Sequence, residues 1–165
     1  MIRAAVLAAV HRGWECVGIK RGFDSLLGGE PPVPLGPSDV RGITHLGGTI
    51  LGTSNRGNPL KWRHQRPDGG WEERDRSQEL LDSFRANRLD ALIAIGGDGT
   101  LSIALELCKR GLPVVGVPKR IDTDVAGTVA TFGFDTAVAT ATDAIDKVHS
   151  TAESHERVMV VEVMG

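Results

Sequence analysis

Tyrosine is absent from this 165-residue sequence, aromatic residues make up only 4% of it, and it holds two cysteines. An interior so poor in rings must be built from Val, Ile, Leu and Ala, with some of the 21 glycines at tight turns, which suits a parallel α/β sheet. Cys16 lies among apolar strand residues and Cys108 in an apolar helical stretch; both read as small buried side chains, which excludes a disulfide framework or a thiolate metal site. No apolar run approaches the roughly 18 residues that span a bilayer, and the start MIRAAVLAAVHRG lacks the charged flank and cleavage site of a signal peptide. Nor is there a charge excess: a formal net charge of -2 with scattered basic residues leaves no footprint for a nucleic acid. These absences describe one cytoplasmic domain with one core and no membrane or nucleic-acid partner.

What is present is an alternation of helical and strand patterns. Residues 2 to 11 repeat apolar side chains at helical spacing, and ECVGIK at 15 to 20 reads as a buried strand after the break at Gly13. SDV at 38 to 40 could open a short helix, and THLGGTILGTS is glycine-punctuated loop or strand. The polar stretch from 55 to 76 reads as a surface excursion or small hairpin. Ser77 is a candidate cap for a helix that turns Leu80, Leu81 and Phe84 inward; ALIAIGG at 91 to 97 follows as a continuous apolar strand. A helix over 101 to 110, a buried strand PVVGVP at 113 to 118 and a helix over 136 to 150 come next. That last helix opens on Asp135 with Ala137, Val138, Ala141, Ile145 and Val148 on one face, and VMVVEVM at 158 to 164 reads as a final strand. Strands separated by helices predict a mostly parallel sheet with right-handed crossovers and a site at the carboxyl ends of the strands.

Two motifs begin where predicted strands end. In GGDGT at 96 to 100, Gly96 and Gly97 let a backbone approach a polyphosphate, and the next helix presents free N–H groups to its oxygens. Asp98 would there hold Mg²⁺, Gly99 leaves room for a bulky donor, and Thr100 can cap the helix or bond a ligand. The alternative for the pentapeptide is an ordinary strand-to-helix turn with an Asp cap, and lipid and dinucleotide kinases also carry it. In PKRIDTD at 118 to 124, Asp122 and Asp124 stand two apart, so an extended loop points both the same way. One carboxylate can take a proton from an attacking hydroxyl while the other positions metal or substrate, with Lys119 offering charge to a phosphoryl group. The alternative is that either aspartate merely bonds loop amides.

With GGDGT, PKRIDTD, TFGFDTAV, STAESHERVMVVEVMG, RGFDSLL and GGTILGTS in this order, the sequence resembles the 6-phosphofructokinase family over nearly its whole length. The resemblance implies a Rossmann-like three-layer sandwich with a mostly parallel sheet. It also implies a glycolytic kinase that moves a phosphoryl group from ATP, or from pyrophosphate, to the 1-hydroxyl of fructose 6-phosphate with Mg²⁺. By the same resemblance Asp122 is the base, Asp98 binds Mg²⁺, and Asp124 assists in the sugar pocket. Gly97, Gly99, Thr100 and Arg56 border the donor, and Phe23 lies where an adenine ring stacks, unless it is a core residue. Arg157 reaches a neighbouring subunit's sugar phosphate in a homo-oligomer, or is a solvated charge, while Met164 and Gly165 open a substrate-contacting MGR motif.

The departures fall beside the proposed base. Arg120 and Thr123 stand where the family usually has Thr and Asn. A guanidinium at 120 could clamp a phosphate or crowd the sugar. Gly99 is typical of ATP users and Lys119 of pyrophosphate users and some ATP-dependent relatives, with ATP the favoured donor. The sequence lacks the family's first strand, its glycine-rich loop and its second domain. Residues 1 to 165 are therefore expected to be a partial N-terminal nucleotide- and phosphate-binding domain, inactive by itself; the alternative is a non-catalytic nucleotide-binding paralogue.

Overall fold

The computed structural model describes residues 1–54, 57–123 and 125–163. Two compact units result, one from residues 1–92 and 105–114, the other from 93–104 and 115–165.

In the first unit, helix α1 (Ile2–His11) buries Val6 against Leu35 and Val40, and Ile2, Leu7, Cys16, Ile43 and Leu51 complete this cluster. Arg3 lies across its edge and donates to the Val40 carbonyl at 2.9 Å. The strand expected over 15 to 20 shrinks to β1 (Val17–Gly18), paired antiparallel with β2 (Val33–Pro34). A Cβ on Gly18 would come within 2.5 Å of the Leu51 side chain, which would have to shift to admit it. Residues 37 to 42 form turns rather than a helix, because Pro37 and Gly42 (φ +73°) interrupt any helical run. Cys16 is half-buried, its thiol pushed up by desolvation, and Cys108 is exposed. On its helix, Ala104 and Leu107 take the buried face, which turns Cys108 outward.

The polar stretch folds as the expected hairpin, β3 (Trp62–Gln65) against β4 (Trp71–Arg74), with Trp62 opposite Arg74 and Gln65 opposite Trp71. Its turn is fixed by the Asp68 carboxylate, which accepts the Gly70 N–H at 2.9 Å. Helix α3 (Ser77–Ala86) buries Leu80, Leu81 and Phe84 as the periodicity predicts, and packs on helix α2 (Phe23–Leu27). Between them the Ser83 hydroxyl donates to the Leu26 carbonyl at 2.9 Å and Arg76 to that of Leu27 at 3.3 Å. The same Arg76 guanidinium stands 4.9 Å from the Trp62 ring centre, tying hairpin to helix.

Ser77 is the first residue of α3 and not its cap. The capping acceptor is Asp75, whose carboxylate takes the Ser77 N–H at 2.9 Å and an Arg110 N–H at 2.9 Å. The hydrogen bonds from Ser77, with Arg110 beside them, hold the Asp75 carboxyl below its ordinary value.

Most of the parallel pair falls in the second unit. Strand β5 (Leu92–Gly96) leads into helix α4 (Asp98–Lys109), which returns the chain to β6 (Val114–Pro118) beside β5. The Leu92 N–H donates to the Pro113 carbonyl and the Lys119 N–H to the Gly96 carbonyl, each at 2.8 Å, so both strands run the same way. Among the described residues this sheet is two strands wide, and β6 is only half-buried to exposed where an enclosed strand was expected, since a narrow ribbon leaves edges and faces open. Helix α5 (Phe134–Ser154) forms over the predicted stretch and beyond it, but none of its residues is buried; Val138 and Ile145 are nearly half exposed. Residues 158 to 163 form no strand, because no neighbouring strand among the described residues pairs with them. Met159 and Val161 instead line a shallow cavity with Ile145, Val148 and Ala152 of α5. No helix among the described residues is long and apolar enough to cross a membrane.

Replacing Asp75 by Ala removes the acceptor at the start of α3 and is expected to lower stability by about 1 kcal/mol in chemical denaturation near neutral pH. Because the folded carboxyl titrates below its unfolded value, this difference is present above about pH 4 and fades as pH falls through the lower folded value.

Candidate active site

The site is built where β5 and β6 end. The Gly96–Lys119 bond brings GGDGT and PKRIDTD side by side, since the parallel register sets the last residue of β5 against the residue after β6. Helix α4 begins two residues before Thr100, at Asp98, so Thr100 lies inside the first turn and is not a cap. Its side chain folds back under Gly96, where an added Cβ would come within 2.4 Å of it. Gly99 has open space beside it, as the room for a bulky ligand requires. The first amides of α4 lack intrahelical acceptors and carry the positive end of the helix dipole, which favours anionic oxygens and the Asp98 carboxylate.

On the other side, the 118–122 loop is fastened to the residues that start α5. The Thr131 hydroxyl donates to the Ile121 carbonyl at 3.1 Å, the Gly133 N–H to that of Arg120 at 2.9 Å, and the Phe132 N–H to that of Pro118 at 3.4 Å. Thr131 is buried, and a Cβ on Gly133 would stand 2.5 Å from the Arg120 carbonyl oxygen, so only glycine allows this approach. These anchors have no counterpart among the residues assigned from the sequence, although TFGFD is one of the motifs that carry the resemblance.

Arg120 joins the two motifs. Its stem crosses Gly97, with Cγ 3.5 Å from where a Cβ would be, and its guanidinium bridges two carboxylates, Asp98 through Nη1 and Asp122 through Nη2, the latter at 2.9 Å. The guanidinium is about three-quarters buried while both carboxylates remain accessible. Asp98 and Asp122 are brought together on this guanidinium, while the expected pairing of Asp122 with Asp124 lies outside the described residues, as do Arg56, Met164 and Gly165. Lys119 extends an exposed side chain from the same loop, and Thr123 follows, also exposed.

Arg157 is not brought to this place. It follows α5, whose 21 residues separate it from Gly133 by about 30 Å. Phe23, half-buried, opens α2 in the first unit.

Asp98 and Asp122 already hold a cation between them in the Arg120 guanidinium, and their accessibility fits Mg²⁺, which takes one or two carboxylates and completes its shell with water and phosphate oxygens. The described residues contain no cluster of three or more His, Cys, Asp or Glu, so a closed protein cage for a metal is absent among them.

The family model described as phosphofructokinase matches residues 1–165. The chain is 52% identical over 165 residues to the ATP-dependent 6-phosphofructokinase of Chloroflexus aggregans, covering all of this chain and 45% of that protein. It is 48% identical over 167 residues to the pyrophosphate–fructose 6-phosphate 1-phosphotransferase of Streptomyces coelicolor, again over 45% of its length. The structure of phosphofructokinase from Saccharomyces cerevisiae superposes with a TM-score of 0.72 at 29% identity, covering 94% of this chain and 22% of that one. The chain thus spans under half the length of the curated relatives it matches. With a family match from first residue to last and a fold that agrees with it, this chain belongs to the phosphofructokinase family.

Proposed function

We propose that this chain supplies the donor, metal and base side of a 6-phosphofructokinase site, for transfer of a phosphoryl group from ATP to the 1-hydroxyl of fructose 6-phosphate in glycolysis. The observation that carries the proposal is the convergence of Asp98 and Asp122, from two separate strand ends, on one guanidinium. In this reading Asp122 takes the proton of the sugar 1-hydroxyl as its oxygen bonds the γ-phosphorus and the bond to the bridging oxygen of ADP breaks. Gly97, Gly99 and the first turn of α4 receive the donor phosphates, and Lys119 and Arg120 supply positive charge to the transferring group. Mg²⁺ held at Asp98 would neutralise charge on the phosphates.

Arg56 beside the donor, and Asp124, Met164 and Gly165 toward the sugar, belong to the same proposal. Arg157, remote from the loop along α5, fits a contact with the site of another subunit in a homo-oligomer. The chain covers 45% of the length of such a relative, and the 165 residues alone are proposed to be inactive, in the cytoplasm as elsewhere.

Pyrophosphate as donor is the second reading, favoured by Lys119 and by relatives 48% to 50% identical that are named pyrophosphate-dependent. A coupled assay of a form extended over the relatives' length, run separately with ATP and pyrophosphate, decides between them, with faster turnover on ATP expected. The 165-residue chain is expected to bind the donor in calorimetry without turnover. In a form extended over the relatives' length, Asp122→Asn is expected to lower kcat by about 10²- to 10⁴-fold with little change in donor KM; an unchanged kcat would remove Asp122 as base. Gly133→Ala, which pushes on the Arg120 carbonyl, is expected to lower kcat at least about tenfold by shifting the loop.

A further inference from the structure

Contacts with its own chain hold Arg120 in place. Its carbonyl is fixed by the Gly133 N–H at 2.9 Å, its stem runs over Gly97, and its guanidinium divides between Asp98 and Asp122. A planar guanidinium offers two donor edges and so can hold two carboxylates at once, which an ammonium on a flexible stem does less well. Two like-charged carboxylates close enough to share one cation repel each other when that cation is removed. The site thus has two ways to balance them: the arginine, or a divalent cation from solution.

We propose that Arg120 is an internal counter-ion that competes with the divalent cation for Asp98, so that metal enters only as the guanidinium lets go. This rests on the reading of Asp98 as the metal carboxylate. As a positioning residue, Arg120 keeps the Asp122 and Asp98 carboxylates together in the metal-free chain and makes that chain a weak binder of free cation. The guanidinium released from Asp98 is then available to donor phosphate, which couples metal entry to donor entry at one side chain.

The test is Mn²⁺ binding without nucleotide, followed by electron paramagnetic resonance, on the wild-type chain and on Arg120→Thr, Arg120→Lys and Asp98→Asn. Arg120→Thr is expected to bind Mn²⁺ about fivefold more tightly than wild type, the factor for releasing one partly exposed ion pair. Arg120→Lys should fall between, and it carries the test if the threonine variant does not fold by circular dichroism. Asp98→Asn should bind more weakly than wild type. A purely structural role for Arg120 would leave affinity unchanged or reduce it in both variants, and that result, with Asp98→Asn still weakened, overturns the counter-ion role alone. Equal Mn²⁺ binding by Asp98→Asn and wild type overturns the metal role of Asp98 and the present inference with it.

Discussion

One backbone hydrogen bond, from the Lys119 N–H to the Gly96 carbonyl, fixes what the rest of the site depends on. It places the ends of two parallel strands side by side, and each strand delivers its charged residues to that edge. Parallel pairing requires a crossover, and α4 is that crossover. The helix start that the crossover demands supplies the dipole and free amides beside Asp98. The exposed helix start at the strand end is therefore a consequence of strand direction as much as of the glycines beside it.

The loop after β6 needs further restraint, because an exposed segment carrying Lys119, Arg120 and Asp122 would be splayed by its own solvation. Restraint comes from Thr131, Phe132 and Gly133, which tie three successive stretches of the loop to the start of α5. Glycine at 133 permits the approach and Arg120 closes the site from the other side. Arginine at 120 thus adds positive charge to the site while its backbone carbonyl accepts the Gly133 N–H.

Much of this was legible in the sequence. The apolar run ALIAIGG and the stripe of Leu80, Leu81 and Phe84 state their own burial or pairing, because periodicity reports which face meets the core. GGDGT and PKRIDTD stood out because glycine beside aspartate at a strand end is a pattern that local sequence alone can show. What stayed hidden depends on partners distant in sequence. The Asp75–Arg110 pair at α3 joins residues on separate elements, and Ser77 was the better local candidate for a cap. VMVVEVM has the composition of a strand, but pairing is a property of two segments and cannot be read from one. For the same reason the meeting of Asp98 with Asp122 is a tertiary fact that spacing within either motif does not show.

The central claim is that the two motifs act as one site, and the most direct test is a double-mutant cycle. Calorimetric affinity for the Mg²⁺–ATP complex would be measured for the wild-type chain, Asp98→Asn, Asp122→Asn and the double variant. Residues that share a partner should couple, with an interaction energy of about 0.5–3 kcal/mol. Additive losses, with a coupling indistinguishable from zero, would contradict a shared site.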